Sequence, residues 1–326
     1  MDSIQKNNLN MGYCCINVYL RKLGIFCSRT CRLETIKQRG IAYSYELAKQ
    51  NLEDMACILR WNCNNNIYLY RMSSEMFPFA THPDYYKNYD LEQFKETLYK
   101  IGIIAKECKQ QLTFHPGQYN QLSSERESVV EKSIIEIDFH AKIMELIGVN
   151  KNGIIIIHGG GKSGGQEKAL QRFEKNFIRL SKSSQERLVL ENCEMAYSVE
   201  DLLPMCKKLK IPIVLDYHHH NINPGTKDLT YLTSEILEIW DARGIIPLFH
   251  LSESRVGITK DDSITARRAH SDYIENLPNE LLELLKTRQI NLDIEAKMKE
   301  QAVLRIFIKY YQNEEKDFVN KKYLLN

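Results

Sequence analysis

The sequence predicts a single (β/α)8 barrel, a TIM barrel, occupying residues 11–312. Three observations predict it. Short apolar runs alternate eight times with longer stretches of helical periodicity. Several of those runs are continuously aliphatic, as in Ile154 to Ile157 and Ile213-Val214-Leu215. Metal-competent side chains recur at their downstream ends. Strands buried on both faces read as unbroken aliphatic runs, which is the signature of a parallel sheet. Strand–helix units in series imply right-handed crossovers, and eight of them suffice to close a barrel. An open doubly wound sheet is the alternative, but it would not place functional residues after every strand.

The expected strands, in order, are Met11–Val18, Ile67–Met72, Gln111–His115, Gly153–His158, Arg187–Glu191, Ile211–Asp216, Ile245–His250 and Ile290–Glu295. Amphipathic helices lie between them. Leu47, Leu52, Met55, Ala56 and Leu59 form one apolar stripe, and Val199, Leu202, Leu203, Cys206 and Leu209 form another. Pro212 and Pro247 stand at strand starts, where a missing backbone donor costs least. Residues 1–10 read as a disordered N-terminus. Residues 313–326, after the polar turn at Gln312-Asn313-Glu314-Glu315-Lys316, read as a peripheral tail.

Composition narrows the function classes. The chain has 326 residues and is 43% hydrophobic, enough for one large core. Its 44 Lys and Arg against 42 Asp and Glu leave a net charge of +2, which neither demands nor excludes a polyanionic partner. No apolar run approaches about 18 residues, and no hydrophobic segment follows the polar start, so a soluble, cytoplasmic protein with no membrane partner is expected. The nine scattered cysteines read as reduced thiols; Cys27 and Cys31 lack the second pair that a zinc knuckle needs. Gly161-Lys162-Ser163 is not a nucleotide-binding P-loop, because the first glycine of that motif would fall at Ile156.

The chemistry lies at the strand ends. His115 ends the third expected strand, His158 the fourth, Glu191 the fifth, Asp216 the sixth, His250 the seventh and Glu295 the eighth. One such histidine alone would read as a hydrogen-bonded surface group. Six such residues in phase converge on the C-terminal face of a barrel, where active sites are built. Asp216-Tyr217-His218-His219-His220 adds a turn from which the aspartate and a histidine can hold neighbouring ions, and His270 is placed to close a further site. Imidazole and carboxylate without cysteine suit Zn²⁺ or Mn²⁺. Ions within about 4 Å of one another clamp an in-line phosphodiester displacement, with Glu191 as the natural bridging carboxylate.

The segments Gly12-Tyr13-Cys14-Cys15-Ile16-Asn17, Phe79-Ala80-Thr81-His82-Pro83, His115-Pro116-Gly117-Gln118-Tyr119, Leu190-Glu191-Asn192, Leu215-Asp216-Tyr217-His218-His219-His220-Asn221, His250-Leu251-Ser252 and Glu295-Ala296-Lys297-Met298-Lys299-Glu300 resemble the ultraviolet damage endonucleases. These are relatives of endonuclease IV and of the xylose-isomerase-like barrels, and the resemblance runs from about Met11 to Gln301. It implies a site of three divalent ions, typically Mn²⁺ with Zn²⁺ or Mg²⁺ as alternatives. Its implied ligands are His115, His158, Glu191, Asp216, His219, His250, His270 and Glu295. It also implies incision of double-stranded DNA immediately 5′ of cyclobutane pyrimidine dimers and 6-4 photoproducts.

Within that resemblance Gln118 and Tyr119 match a pair that probes the duplex where the lesion has left the stack, and Tyr13 and Asn17 match residues that contact the flipped lesion. A photoproduct is poorly stacked, so extruding it costs less than extruding normal bases, and an aromatic wedge can fill the gap. Catalytic roles fall to Glu191, His115, His158, Glu295 and Lys297. Arg71 and Lys297 are candidates for phosphate contact, and His82 matches a family histidine near the site. One residue departs from the pattern: Leu248 stands where family members often carry a lysine, sometimes carboxylated. A monomer is expected, because the barrel mouth must stay open to a bent duplex. The alternatives are an abasic-site endonuclease of the endonuclease IV type, a metal-dependent sugar isomerase and a non-enzymatic damage-binding protein.

Overall fold

The protein is described by a computed structural model covering residues 8–311 and 323–325. Strand and helix alternate through β1 (Leu9–Cys14), α1 (Val18–Lys22), α2 (Leu33–Arg39), α3 (Ala42–Cys63), β2 (Leu69–Met72), α4 (Lys95–Glu107), β3 (Gln111–Phe114) and α5 (Glu127–Ile147). The second half continues with β4 (Ile154–His158), α6 (Gln166–Phe177), α7 (Lys182–Arg187), β5 (Leu188–Glu191), α8 (Val199–Leu209), β6 (Ile213–Val214) and α9 (Tyr217–Ile222). It ends with α10 (Leu229–Arg243), β7 (Leu248–Leu251), α11 (Ile264–Arg268), α12 (Asn279–Leu284), β8 (Ile290–Ile294) and α13 (Glu300–Tyr311).

All strand pairs are parallel, in the order β6-β5-β4-β3-β2-β1-β8-β7. The two edges meet at a single parallel bridge between Asp216 and His250, where the His250 amide donates to the Leu215 carbonyl at 2.9 Å. This closes the (β/α)8 barrel that the strand count predicts. Register sets the site: His158 pairs with Glu191 across β4–β5, and His250 with Asp293 across β7–β8.

The strands are buried on both faces. All five residues of β4 are buried, because alternate side chains face the barrel interior and the helix layer. In α3 the expected stripe of Leu47, Leu52, Met55 and Leu59 is buried, as are Asn51 and Asn62. Asn51 earns its place by hydrogen bonds to the backbone of Arg29 and Met76. Ser198 and Asp201 form a reciprocal capping box that starts α8. Where α4 crosses the end of α5, a Cβ on Gly102 would lie 1.8 Å from the Ile147 carbonyl oxygen, so only glycine allows this approach.

Several boundaries differ from those expected, for local reasons. β1 begins at Leu9, so Leu9 and Asn10 belong to the barrel rather than to a disordered N-terminus; Asn10 donates to Asn291 of β8 at 3.1 Å. Residues 1–7 lie outside the described residues. β1 ends at Cys14 instead of Val18, because Asn17 caps α1 by accepting from the Leu20 amide. β6 is short because Asp216 leaves it to cap α9. Of the expected C-terminal tail, 313–322 and 326 lie outside the described residues, while 323–325 dock on the body. There the Tyr323 ring meets Tyr19 and Trp61 edge-on, and Gln301 bonds both Tyr323 and Leu325. All nine cysteines are free, and no described helix is long and apolar enough to cross a membrane.

Replacing Gly102 by alanine is expected to destabilise the chain by about 1–3 kcal/mol, the usual cost of overpacking. Urea unfolding measures it, and an unchanged midpoint would show that α4 and α5 can move apart freely.

Candidate metal centre

The centre is organised on Glu191, at the end of β5 and only 1% exposed. Its Oε2 lies 2.6 Å from His115 Nε2 and 3.5 Å from His158 Nε2. Its Oε1 lies 2.9 Å from His250 Nδ1 and 3.4 Å from His219 Nδ1. One carboxylate is thus faced by four imidazoles, three at the ends of β3, β4 and β7 and His219 from the first turn of α9. Glu295, just past β8, lies 3.1 Å from His250 Nδ1 through Oε1 and also pairs with Arg71 of β2. His270 donates from Nδ1 to the Glu295 carbonyl at 2.7 Å. Asp216 is fully buried; its Oδ1 accepts from the His219 amide at 2.7 Å, and its backbone is clasped by the Asn192 side chain.

Burial and charge set the protonation of this cluster. Burial alone would raise the Glu191 carboxyl, but His250, His158 and His115 together hold it well below the usual carboxylate range. Burial raises Asp216 to about 7, with the neighbouring Glu191 and Glu295 adding to the effect against His219. Burial pushes His158 down to about 4. His219 is desolvated too, but Asp216, Glu191 and Glu194 outweigh that and lift it to about 9.

Four buried atoms here have no hydrogen-bond partner: His158 Nδ1, Asp216 Oδ2, His250 Nε2 and Glu194 Oε2. Orphaned buried polar atoms are costly and rare, and their concentration among imidazoles and carboxylates fits divalent metal. Ligand atoms of His115, Glu191, His250 and Glu295 lie within 4.8 Å of one another, as do those of Glu191, Asp216 and His219. These two groups take in six of the eight residues expected as ligands; His158 adjoins them through Glu191 at 3.5 Å, and His270 through the Glu295 carbonyl at 2.7 Å. A third such group, Cys14, Asp293 and Glu295, brings in two residues that the sequence reading missed. Asp293 was readable, since it lies two residues before Glu295 and so shares its face of β8. Leu248 likewise shares the inward face with His250 and is fully buried, giving the barrel an apolar floor at that point.

The centre opens into a cavity of about 440 Å³ lined by Arg71, Gln118, Glu194, Thr265 and Arg268 besides the ligands. A larger one, about 620 Å³, lies at the opposite end of the barrel around Asn10, Gln111 and Asn291, remote from the clustered imidazoles. Beside the mouth the chain turns at Gly117–Asn120, closed by the Asn120 amide donating to the Gly117 carbonyl at 3.0 Å. Gln118 and Tyr119 form its tip, and Tyr119 is 65% exposed. The Tyr119 ring folds over Gly117, where a Cβ would come within 2.5 Å of it.

Five further expected site residues take these places. Tyr13 and Asn17 are fully buried and face α3: Tyr13 donates to Asn62 at 2.7 Å and accepts from Asn17 at 3.0 Å. There they hold the barrel to its helix layer. Arg71 lines the cavity, but its guanidinium is committed to Asp293 and Glu295. Lys297 is exposed and does not line the cavity. His82 is half-buried between Phe79 and Tyr85, accepts from the Asp84 amide at 3.2 Å, and lies outside the cavity lining. The reading also missed Glu194 and Arg268, which face each other across the cavity wall. Three positions beyond Glu191, an acid was a signal available in the sequence.

A (β/α)8 barrel with a histidine–carboxylate centre at its C-terminal mouth defines the class. Within it, residues 9–322 match the family model described as UV-endonuclease UvdE, and the chain belongs to that family. The UV-damage endonuclease of Schizosaccharomyces pombe is 42% identical over 313 residues, which cover 92% of this chain and 50% of the relative. The chain thus spans about half the length of that relative. A putative UV-damage endonuclease of Acanthamoeba polyphaga mimivirus is 36% identical, with 95% of this chain and 94% of the relative covered. The crystal structure of SacUVDE superposes with a TM-score of 0.80 at 28% identity, covering 92% of this chain and 98% of that one.

Tyr13→Phe is expected to lower stability by about 1–2 kcal/mol through the orphaned Asn62 amide, while leaving binding to irradiated DNA unchanged. Denaturation and competition binding check both; impaired discrimination of damage would return Tyr13 to the lesion-contact role.

Proposed function

We propose that this chain is a metal-dependent endonuclease that cuts double-stranded DNA immediately 5′ of ultraviolet photoproducts. The observation that carries the reading is the buried Glu191 carboxylate with its four imidazoles, set beside the exposed Gln118-Tyr119 turn. The relatives, named as UV-damage endonucleases, supply the substrate class. His115, His158, Glu191, Asp216, His219, His250, His270 and Glu295 would hold the ions, three in number and Mn²⁺ by preference. Bound divalent ions would supply a nucleophile from water at neutral pH and neutralise the charge that builds on the phosphate.

The remaining work falls to the chain itself. Tyr119, at a turn tip held by Asn120, inserts into the stack where cyclobutane dimers or 6-4 photoproducts have weakened it. Gln118, on the cavity wall, faces the strand that enters. Arg71 holds Glu295 and Asp293 in place through its guanidinium. With Leu248 in the floor, the centre relies on histidine and carboxylate alone. The chain acts as a monomer on DNA in the cytoplasm, with the mouth open to the duplex.

Relaxed-circle formation from irradiated, abasic and intact plasmids, with Mn²⁺ and with chelator, tests this reading. Irradiated plasmid alone should be nicked, and only with metal. Equal nicking of intact plasmid would refute lesion recognition, preference for abasic plasmid would favour the endonuclease IV type, and cutting in chelator would refute the metal role. Glu191→Ala should reduce incision by about three orders of magnitude or more while sparing lesion binding; near-normal rates would show that Glu191 does not bridge.

The protonation pattern also predicts how affinity depends on pH. Ion binding must expel the protons that His219 retains up to about 9 and Asp216 up to about 7. Affinity for Mn²⁺ therefore rises with pH, by about tenfold per unit for each proton expelled, more steeply below 7 than between 7 and 9. Titration calorimetry at several pH values checks this; a constant Kd between pH 6 and 8 would contradict it.

A further inference from the structure

Glu194 lies outside the ligand set that motif and resemblance supply, yet it is built into the centre. It follows β5 by three residues, is 7% exposed, and lines the cavity. Its two oxygens are treated differently. Oε1 accepts from Arg268 Nε, which fixes the carboxylate from the α11 side. Oε2 is buried without a hydrogen-bond partner and lies 3.6 Å from His219 Nε2.

The tautomer of His219 gives this contact its meaning. Its Nδ1 sits 3.0 Å from the Asn192 carbonyl oxygen, which can only accept, so Nδ1 carries a proton and donates. The ion-facing atom of His219 is therefore Nε2, and the carboxylate opposite it is Glu194. Asp216 Oδ2, at 3.9 Å, approaches the Nδ1 side instead. An imidazole lone pair and a carboxylate oxygen facing each other in a buried site repel unless a positive charge lies between them. A metal ion shared by the two would supply that charge. The spacing fits, because two ligand atoms each about 2.1 Å from one ion lie roughly 3.0–3.6 Å apart. A donated Nδ1–H is also the arrangement that orients a histidine ligand and raises its basicity.

We infer that Glu194 is a metal ligand, sharing an ion with His219 Nε2, and that Arg268 is the positioning residue that keeps Oε2 aimed at it. The inference rests on the metal-centre reading above, and its test reads metal rather than incision. Equilibrium dialysis with atomic-absorption counting gives Mn²⁺ bound per chain for the full chain and for Glu194→Gln and Glu194→Asp. The glutamine variant keeps an acceptor for Arg268, so in chelator it should melt with the wild type. It should bind one ion fewer per chain, or one ion at least tenfold more weakly, while Glu194→Asp should retain that ion. Arg268→Ala should weaken the same ion without abolishing it. Wild-type number and affinities in Glu194→Gln would overturn the assignment and leave the other ligands standing. A wild-type chain that takes up no Mn²⁺ would overturn the metal-centre reading itself.

Discussion

A carboxylate buried at the end of β5 with four imidazoles around it is the constraint on which the rest depends. An isolated buried anion is strongly disfavoured, so Glu191 persists only because His115, His158 and His250 at strand ends and His219 on α9 face it. Closure of the barrel and assembly of the centre consequently draw on the same residues. The bridge joining the first and last strands of the sheet order runs between Asp216 and His250, both members of the cluster. A strand slipped by one residue would turn its ligand toward the helix layer, so register and site hold each other in place.

Functional and structural duties separate along the barrel axis. The C-terminal mouth gathers the titratable groups and leaves buried atoms without partners, which is a cost carried for function. At the other end Asn10, Gln111 and Asn291 bond one another through their side chains. The helix layer is anchored in the same way, by Tyr13 reaching Asn62. Exposure is concentrated where a macromolecule would arrive: Tyr119 stands out beside the mouth on a turn whose glycine leaves room for its ring.

Much of this was legible in the sequence, and the reasons are particular. Glu191, His158 and His250 were readable because aliphatic runs mark strands, and a polar residue ending such a run has one destination in a barrel. Cys14 was hidden because it lies inside a run, where a thiol reads as core, whereas Asp293 shares the Glu295 face of β8 and could have been found by alternation. The placement of Tyr13 and Asn17 was not legible, because a motif match carries no information about which face a side chain takes. With β1 ending at Cys14 and Asn17 capping α1, both side chains belong to packing. Glu194 was visible as an acid near Glu191, but its role emerges only from the Asn192 carbonyl that fixes the proton of His219.

The central claim is that Glu191 is the hub of a metal cluster, and diffraction tests it most directly. Anomalous scattering at the manganese edge from crystals grown with Mn²⁺ should show ions within about 2.0–2.3 Å of both Glu191 oxygens, with His115, His158 and His250 completing their shells. Absence of anomalous density at Glu191, with its carboxylate still hydrogen-bonded to protonated imidazoles, would contradict the account.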